Sequence, residues 1–185
     1  MFDIDDLIVD LRAAVDESEP RRAVREVLER TMSEPDEIAE AMDPQEGGIT
    51  LVHHTPELTV LNVVWAPGME LYPHDHRMWA AIGIYAGIED NAFFRRPSRD
   101  AKTLVDSGGK HLHVGDTIVL GDDVIHSVAN PGRKLTGAIH VYGGDFLNQP
   151  RSQWGPGPEE ERPYDIEDAH RQFAAANEAW RASLA

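Results

Sequence analysis

Two histidines one residue apart, His74 and His76 in LYPHDHRMWAAIGIYAG (71–87), are the residues of this chain whose type and spacing most directly suggest chemistry. In a β-strand, residues two apart project from the same face, about 7 Å apart along the chain, so both rings can aim at one point. Two partly exposed histidines at a strand end would show the same spacing. Holding a divalent cation requires a third ligand from elsewhere. The candidate is His126 in LGDDVIHSVANP (120–131), placed near a strand start after a tight Gly-Asp-Asp turn. No acidic residue follows the histidine pair closely, so this ligand set would consist of three neutral imidazoles without a carboxylate.

Such a set must be carried by elements that bring residues 74–76 and 126 together. Residues 3–42 read as helices. Ile4, Leu7, Ile8, Leu11 and Val15 follow a 3.6-residue period. Ser18 is the expected cap of a second helix with Pro20 in its first turn, and Ser33 of a third with Pro35. From Gly47 to Phe146 the texture changes to short β-rich runs broken by Gly, Pro, Asp and Asn, among them LTVLNVVWA, AAIGIYAG, HLHVGDTIVLG and LTGAIHVYGG. Short strands at regular spacing, without intervening helical patterns, indicate a β-sandwich or barrel. GIEDN (87–91) reads as a hairpin turn. LNQPRSQWGPGPEEERP (147–163) reads as a surface excursion, and Asp165 to Leu184 as a last helix with Ile166, Phe173, Ala176 and Trp180 on one face. The organisation is thus a helical segment (1–46), a barrel (47–146) and a loop with a C-terminal helix (147–185), all forming one structural domain.

Composition narrows the partners. The 185 residues are 41% hydrophobic, enough for a real core, and contain no cysteine, which excludes disulfides, thiolate metal sites and cysteine nucleophiles. A net charge of -16 repels phosphate backbones and anionic bilayers, so neither nucleic acid nor a membrane is the expected partner. The acidic N-terminus MFDIDDLIVDLRAAVDESEP lacks the basic and apolar regions of a secretory signal, and the expected location is the cytoplasm.

The glycines around the histidines add a pattern. Gly68 lies six positions before His74 and Gly87 eleven after His76; Gly115 lies eleven before His126 and Asn130 four after it. This set resembles the two motifs of the cupin superfamily, whose fold is a mainly β, double-stranded β-helix (a jelly-roll barrel). The glutamate of the first motif falls on Ala80; in the second, Gly121 and Asp123 stand where the family has Pro and Gly. A three-histidine site leaves the metal charge uncompensated and coordination positions open, which suits Fe(II) oxygen chemistry with an anionic ligand such as a thiolate. Fe(II) is therefore the expected metal, with Ni, Zn, Mn and Co as alternatives that also favour imidazole.

A narrower resemblance is to the thiol dioxygenases, cysteine dioxygenase and its bacterial relatives, which share the three-histidine site and a Ser-x-His-x-Tyr stretch. GAIHVYGGDF matches it at His140 and Tyr142, with Ala138 in place of the serine. The resemblance implies a small-molecule substrate, O2 as co-substrate, and Tyr142 near the metal, held by His140. It also implies helices before the barrel and pairing of barrels through sheet edges as a homodimer. The family's substrate-carboxylate arginine has no counterpart in GGITLVHHTPELTVL; Arg77, Arg95 and Arg96 are the nearest candidates by position. Other metal-dependent cupins (a C–C cleaving dioxygenase or an isomerase) and a non-catalytic binding cupin are the alternative readings. His53, His54, His111, His113 and His170 read as structural or solvated, Trp65 and Tyr85 as core or rim aromatics, and Trp79 as close enough to wall a cavity.

Overall fold

The computed structural model describes residues 1–155 and 160–184. Three helices, α1 (Ile4–Val15), α2 (Pro20–Thr31) and α3 (Pro35–Met42), precede the strands β1 (Gly48–His54), β2 (Thr59–Trp65), β3 (Glu70–Asp75), β4 (Ala80–Ala86), β5 (Ile88–Arg95), β6 (Val105–His113), β7 (Thr117–Leu120), β8 (Ile125–Ala129) and β9 (Thr136–Tyr142). The short strands β10 (Ser152–Trp154) and β11 (Glu161–Pro163) and the helix α4 (Ile166–Ser183) follow.

Two antiparallel sheets result, ordered β1-β2-β9-β4-β7 and β11-β10-β3-β8-β5-β6. Successive strands β2 to β5 alternate between the sheets, and β6 to β9 retrace the path in reverse, each beside an earlier strand. β9 pairs with both β2 and β4, and β8 with both β3 and β5. This interlocked winding is a double-stranded β-helix. It brings chain segments about 50 residues apart, β3 and β8, into one ladder.

The helices explain an oddity of the strands. β2, β4 and β9 are buried along nearly their whole length instead of alternately. A strand covered on both faces reads as a continuous apolar run. Leu61, Ile82 and Ala138 face the barrel interior. Val60, Ala81, Ile139 and Val141 face outward, under Leu7, Leu11, Val24, Leu28 and Ile38 of the helices. The helical segment is therefore part of the barrel's own packing.

The caps differ from the sequence expectation. Pro20 and Pro35 each occupy the first helical turn, so the capping residues are Glu19 and Glu34, and neither gives a side-chain cap. Ser33 instead bonds back to the Arg30 carbonyl. A proline at the first position lacks an N–H that would need capping anyway. GIEDN is not a hairpin. Gly87, at φ +73°, carries the chain from one sheet into the other, and Glu89 and Asn91 lie within β5. A Cβ on Gly87 would come 2.5 Å from Thr136 Oγ1, and that hydroxyl accepts from Ile88 N–H at 3.0 Å. This corner pins the start of β5 and with it the inward face of that strand.

The stretch 147–163 is likewise not a free excursion. β10 extends the second sheet beside β3, and Ser152, Gln153 and Trp154 are buried. The part of the excursion at 156–159 lies outside the described residues. α4 closes one end of the barrel. Its buried stripe is Ala169, Phe173 and Asn177, with Phe173 stacked on Trp65 at 5.2 Å. Asn177 docks it through both amide atoms, accepting from Gly47 N–H at 2.7 Å and donating to the Gly47 carbonyl at 2.8 Å. Asn177→Ala removes both bonds and leaves the Gly47 backbone unpaired. Urea denaturation should show a loss of about 2 kcal/mol; a change below about 0.5 kcal/mol would show that α4 is held by packing alone.

Candidate metal centre

The antiparallel ladder places His74 of β3 directly opposite His126 of β8. Pro73, which has no N–H to give the ladder, sits where the β3–β8 register shifts between Leu71 and His74. His76 lies one residue beyond β3, and at Arg77 the chain reverses with φ +54°. The outcome is convergence. His76 Nε2 is 3.2 Å from His74 Nε2 and 3.2 Å from His126 Nε2, and all three side chains are buried.

Their opposite nitrogens define what these close approaches mean. His74 Nδ1 faces the Tyr72 carbonyl at 3.1 Å, and His126 Nδ1 faces Asn91 Oδ1 at 2.7 Å. Both are acceptors, so both rings carry the proton on Nδ1 and turn an Nε2 lone pair inward. His76 can offer a proton to at most one of them. Three buried nitrogens, at least two with bare lone pairs, are poorly satisfied by one another and well suited to a cation. Nitrogens each about 2.1 Å from one metal lie about 3.0 Å apart at right angles and about 3.4 Å apart at tetrahedral angles; the observed 3.2 Å falls between. The three residues could hold a divalent metal ion.

Electrostatics agree with neutral donors. Burial pushes His74 down to about 4, and it holds His76 and His126 well below the ordinary histidine range, helped by their mutual repulsion. His140 is pushed down to about 3, again chiefly by burial.

The rings face a cavity of about 390 Å³ walled mainly by apolar and aromatic side chains, including Leu61, Val63, Leu71 and Val128. His140 and Tyr142 line it as well, with His140 Nδ1 3.2 Å from the Tyr142 hydroxyl. Tyr142 meets His76 edge-on at 5.1 Å and stacks on Phe146 at 3.8 Å. Its hydroxyl is held protonated, because burial raises its pKa far above the usual phenol value. Trp79, in contrast, packs on Gly143 at the helical side of the first sheet and walls no part of the cavity.

The arginines singled out by position do not reach it. Arg77 bonds Asp75 and Ser152, Arg96 grips Glu161 and lies over Trp154, and Arg95 is exposed. Arg151 lines the cavity instead. Its guanidinium sits between the Phe146 and Tyr164 rings, 4.0 and 4.1 Å from their centroids, and donates to the Phe146 carbonyl at 2.8 Å. Its Nε is buried without a partner, and it has no carboxylate partner among the described residues. Sequence reasoning missed it because the surrounding Pro and Gly suggested a loop outside the barrel. His170, read as solvated, is half exposed yet borders the same cavity from α4.

A buried carboxylate also escaped the sequence reading. Glu89 on the inward face of β5 is fully buried. Its Oε2 accepts from Trp65 Nε1 at 2.8 Å and its Oε1 from Asn91 Nδ2 at 2.9 Å. Burial raises it to about 7. The available signal was period two, since Glu89, Asn91 and Phe93 share one strand face.

No protein-family model matches the sequence. Solved structures similar to the chain include an RmlC-like cupin family protein with a double-stranded β-helix fold from Methanocaldococcus jannaschii, 13% identical over 58% of this chain and 90% of that one, TM-score 0.47. A cupin superfamily protein from Desulfitobacterium hafniense is 14% identical over 58% and 88%, TM-score 0.46. A protein with a double-stranded β-helix domain from Klebsiella pneumoniae is 18% identical over 63% and 84%, TM-score 0.45. The chain's own strand order and histidine cluster define the class: a double-stranded β-helix barrel with a candidate three-histidine metal centre. No helix is long and apolar enough to cross a membrane among the described residues.

The neutral cluster makes stability depend on pH. The four buried rings stay neutral while an unfolded chain takes up protons below about pH 6.5, so metal-free protein loses stability as the pH falls, by ~1.4 kcal/mol per pH unit and ring. Glu89, raised to about 7, opposes this between about pH 7 and 4.5, one group against four. Urea titrations at pH 7 and 5.5 should differ by about 3 kcal/mol in favour of pH 7; equal or rising stability would contradict the neutral cluster. His126→Ala should abolish the rise in Tm that Co(II) gives the wild type, a rise worth about 2.7 kcal/mol at a hundredfold excess over Kd. An undiminished rise would remove His126 from the site.

Proposed function

We propose that this chain is a mononuclear non-haem Fe(II) dioxygenase that oxidises a small thiol bearing an anionic group to its sulfinate with O2. The balance is R–SH + O2 → R–SO2⁻ + H⁺: the S–H and O–O bonds break, two S–O bonds form, the thiol proton is released to solvent, and sulfur is oxidised by four electrons as O2 is reduced. The observation that carries this reading is the three-histidine cluster, without a ligating carboxylate, facing a largely apolar cavity whose other charged wall is Arg151.

His74, His76 and His126 would hold the iron, and the bound ion would supply the one-electron chemistry that lets O2 react with a thiolate. A neutral ligand set favours an anionic sulfur, since no protein carboxylate competes for the positive charge. Arg151 orients the substrate's anionic end. Its guanidinium is already stacked between two rings, and its buried Nε lacks an acceptor. The apolar walls exclude water and hold the carbon body. Tyr142, kept protonated with its hydroxyl 3.2 Å from His140 Nδ1, presents its phenol oxygen to the cavity beside His76.

The apolar lining favours a second reading, a C–C cleaving dioxygenase acting on a diketone. Oxygen consumption by Fe(II)-loaded protein over a panel of thiols and diketones, with product analysis, separates the two. Uptake on a thiol carboxylate with sulfinate as product is the expected result. Uptake on a diketone alone would support the second, and no uptake on either would overturn both.

Arg151→Met should raise KM for the anionic thiol by tenfold to a hundredfold, with kcat much less affected, because a charge-assisted hydrogen bond contributes about 1.5–3 kcal/mol. An unchanged KM would remove Arg151 from substrate binding. Tyr142→Phe should retain fold and Co(II) binding but lower kcat at least tenfold; an equal kcat would exclude its hydroxyl from the reaction.

A further inference from the structure

We propose that Glu89 is a positioning residue that sets the proton placement on two histidines at once: on His126 through Asn91, and on His140 directly. This rests on the ligand set of the proposed function, and not on its reaction.

The first branch is determined by hydrogen-bond polarity. In its ionised form, above about pH 7, the Glu89 carboxylate only accepts. Glu89 Oε1 therefore takes the Asn91 Nδ2 hydrogen at 2.9 Å, which turns Asn91 Oδ1 toward His126 Nδ1 at 2.7 Å. An amide oxygen requires a donor, so His126 carries its proton on Nδ1, and Nε2 presents its lone pair 3.2 Å from His76 Nε2. Inverting the amide would offer His126 an N–H, move the ring proton to Nε2 and leave the cluster one donor short.

The second branch begins at an orphaned atom. His140 Nε2 is buried with no hydrogen-bond partner, and Glu89 Oε2 lies 3.9 Å away. The carboxylate favours a proton on that nitrogen. Nδ1, 3.2 Å from the Tyr142 hydroxyl, is then the acceptor. Tyr142 donates to His140 and turns its oxygen lone pairs to the cavity. Glu89 has no lysine or arginine partner among the described residues, and Trp65 Nε1 donates to Oε2 at 2.8 Å, leaving that oxygen a further lone pair on the side of His140. The inward side chains of β2, β5 and β9 thus form one chain from the candidate metal centre to Tyr142, with the acid where the branches meet.

A packing role alone would tolerate the isosteric amide; the positioning role does not. In Glu89→Gln the introduced amide has a single acceptor oxygen facing two donors, Trp65 Nε1–H and Asn91 Nδ2–H. The readouts are Co(II) affinity of the full, metal-stripped chain, followed by its visible spectrum, and ring ¹⁵N NMR of the imidazoles before metal is added. Wild type should show the Nδ1–H form of His126 and the Nε2–H form of His140. Glu89→Gln should weaken Co(II) tenfold to a hundredfold and move the His126 proton. Adding Asn91→Asp to it should restore affinity to within about threefold of wild type, because the amide introduced at position 89 then donates to the new carboxylate and that carboxylate accepts from His126. Asn91→Leu, with Glu89 intact, should weaken Co(II) as much. Should Glu89→Gln fail to fold, the wild-type spectra and the other two variants decide. Opposite ring forms in wild type, or Glu89→Gln binding Co(II) like wild type, would overturn the inference. Wild type that binds no Co(II) would instead overturn the ligand set.

Discussion

Three buried imidazole nitrogens, with His76 Nε2 3.2 Å from each of the other two, form an arrangement that the protein's own hydrogen bonds leave incomplete. At least two lone pairs point at the same space, and all three rings are buried. A buried polar atom left without a partner costs about 1–3 kcal/mol. The rest of the molecule can be read as the machinery that holds this unfavourable convergence in place until a cation satisfies it. Backbone supplies one anchor, the Tyr72 carbonyl behind His74. A side-chain amide supplies another, Asn91 behind His126. The ladder between β3 and β8 fixes the distance between the two rings.

That rigidity has a source outside the site. The first sheet is clamped between the barrel interior and three helices, which is why its central strands carry apolar residues on both faces. The second sheet, which carries the ligands, is extended by β10 and β11, and the chain around them delivers Arg151, Tyr164 and α4 to the cavity mouth.

Much of this was legible beforehand. The period-two histidine pair, the distant His126 and the glycine spacings were enough to expect the barrel and the cluster, because ladder geometry converts spacing into direction. His140 and Tyr142 could be paired on one strand face for the same reason. What could not be read was tertiary in origin. Arg151 sits among turn-forming residues, and only the addition of β10 to the sheet directs it inward. Glu89 looked like part of a turn because an acid beside Gly87 and Asp90 has the composition of one. Its burial depends on Trp65 and Asn91, donors that arrive from β2 and from its own strand. The capping serines failed for a local reason: proline at the first helical position shifts the boundary by one residue.

The absence of a ligating carboxylate remains the feature that most constrains the chemistry, and Glu89 refines it. The acid is present, but one amide removed from the three histidines, linked to His126 through Asn91 and not facing the space where the three rings converge. Anomalous diffraction at the iron edge, from crystals grown in Fe(II) without chelator, tests the centre most directly. The account predicts one peak per chain, bonded to Nε2 of His74, His76 and His126 and to no protein oxygen. A peak elsewhere, a carboxylate in the coordination sphere, or three rings enclosing only water would contradict it.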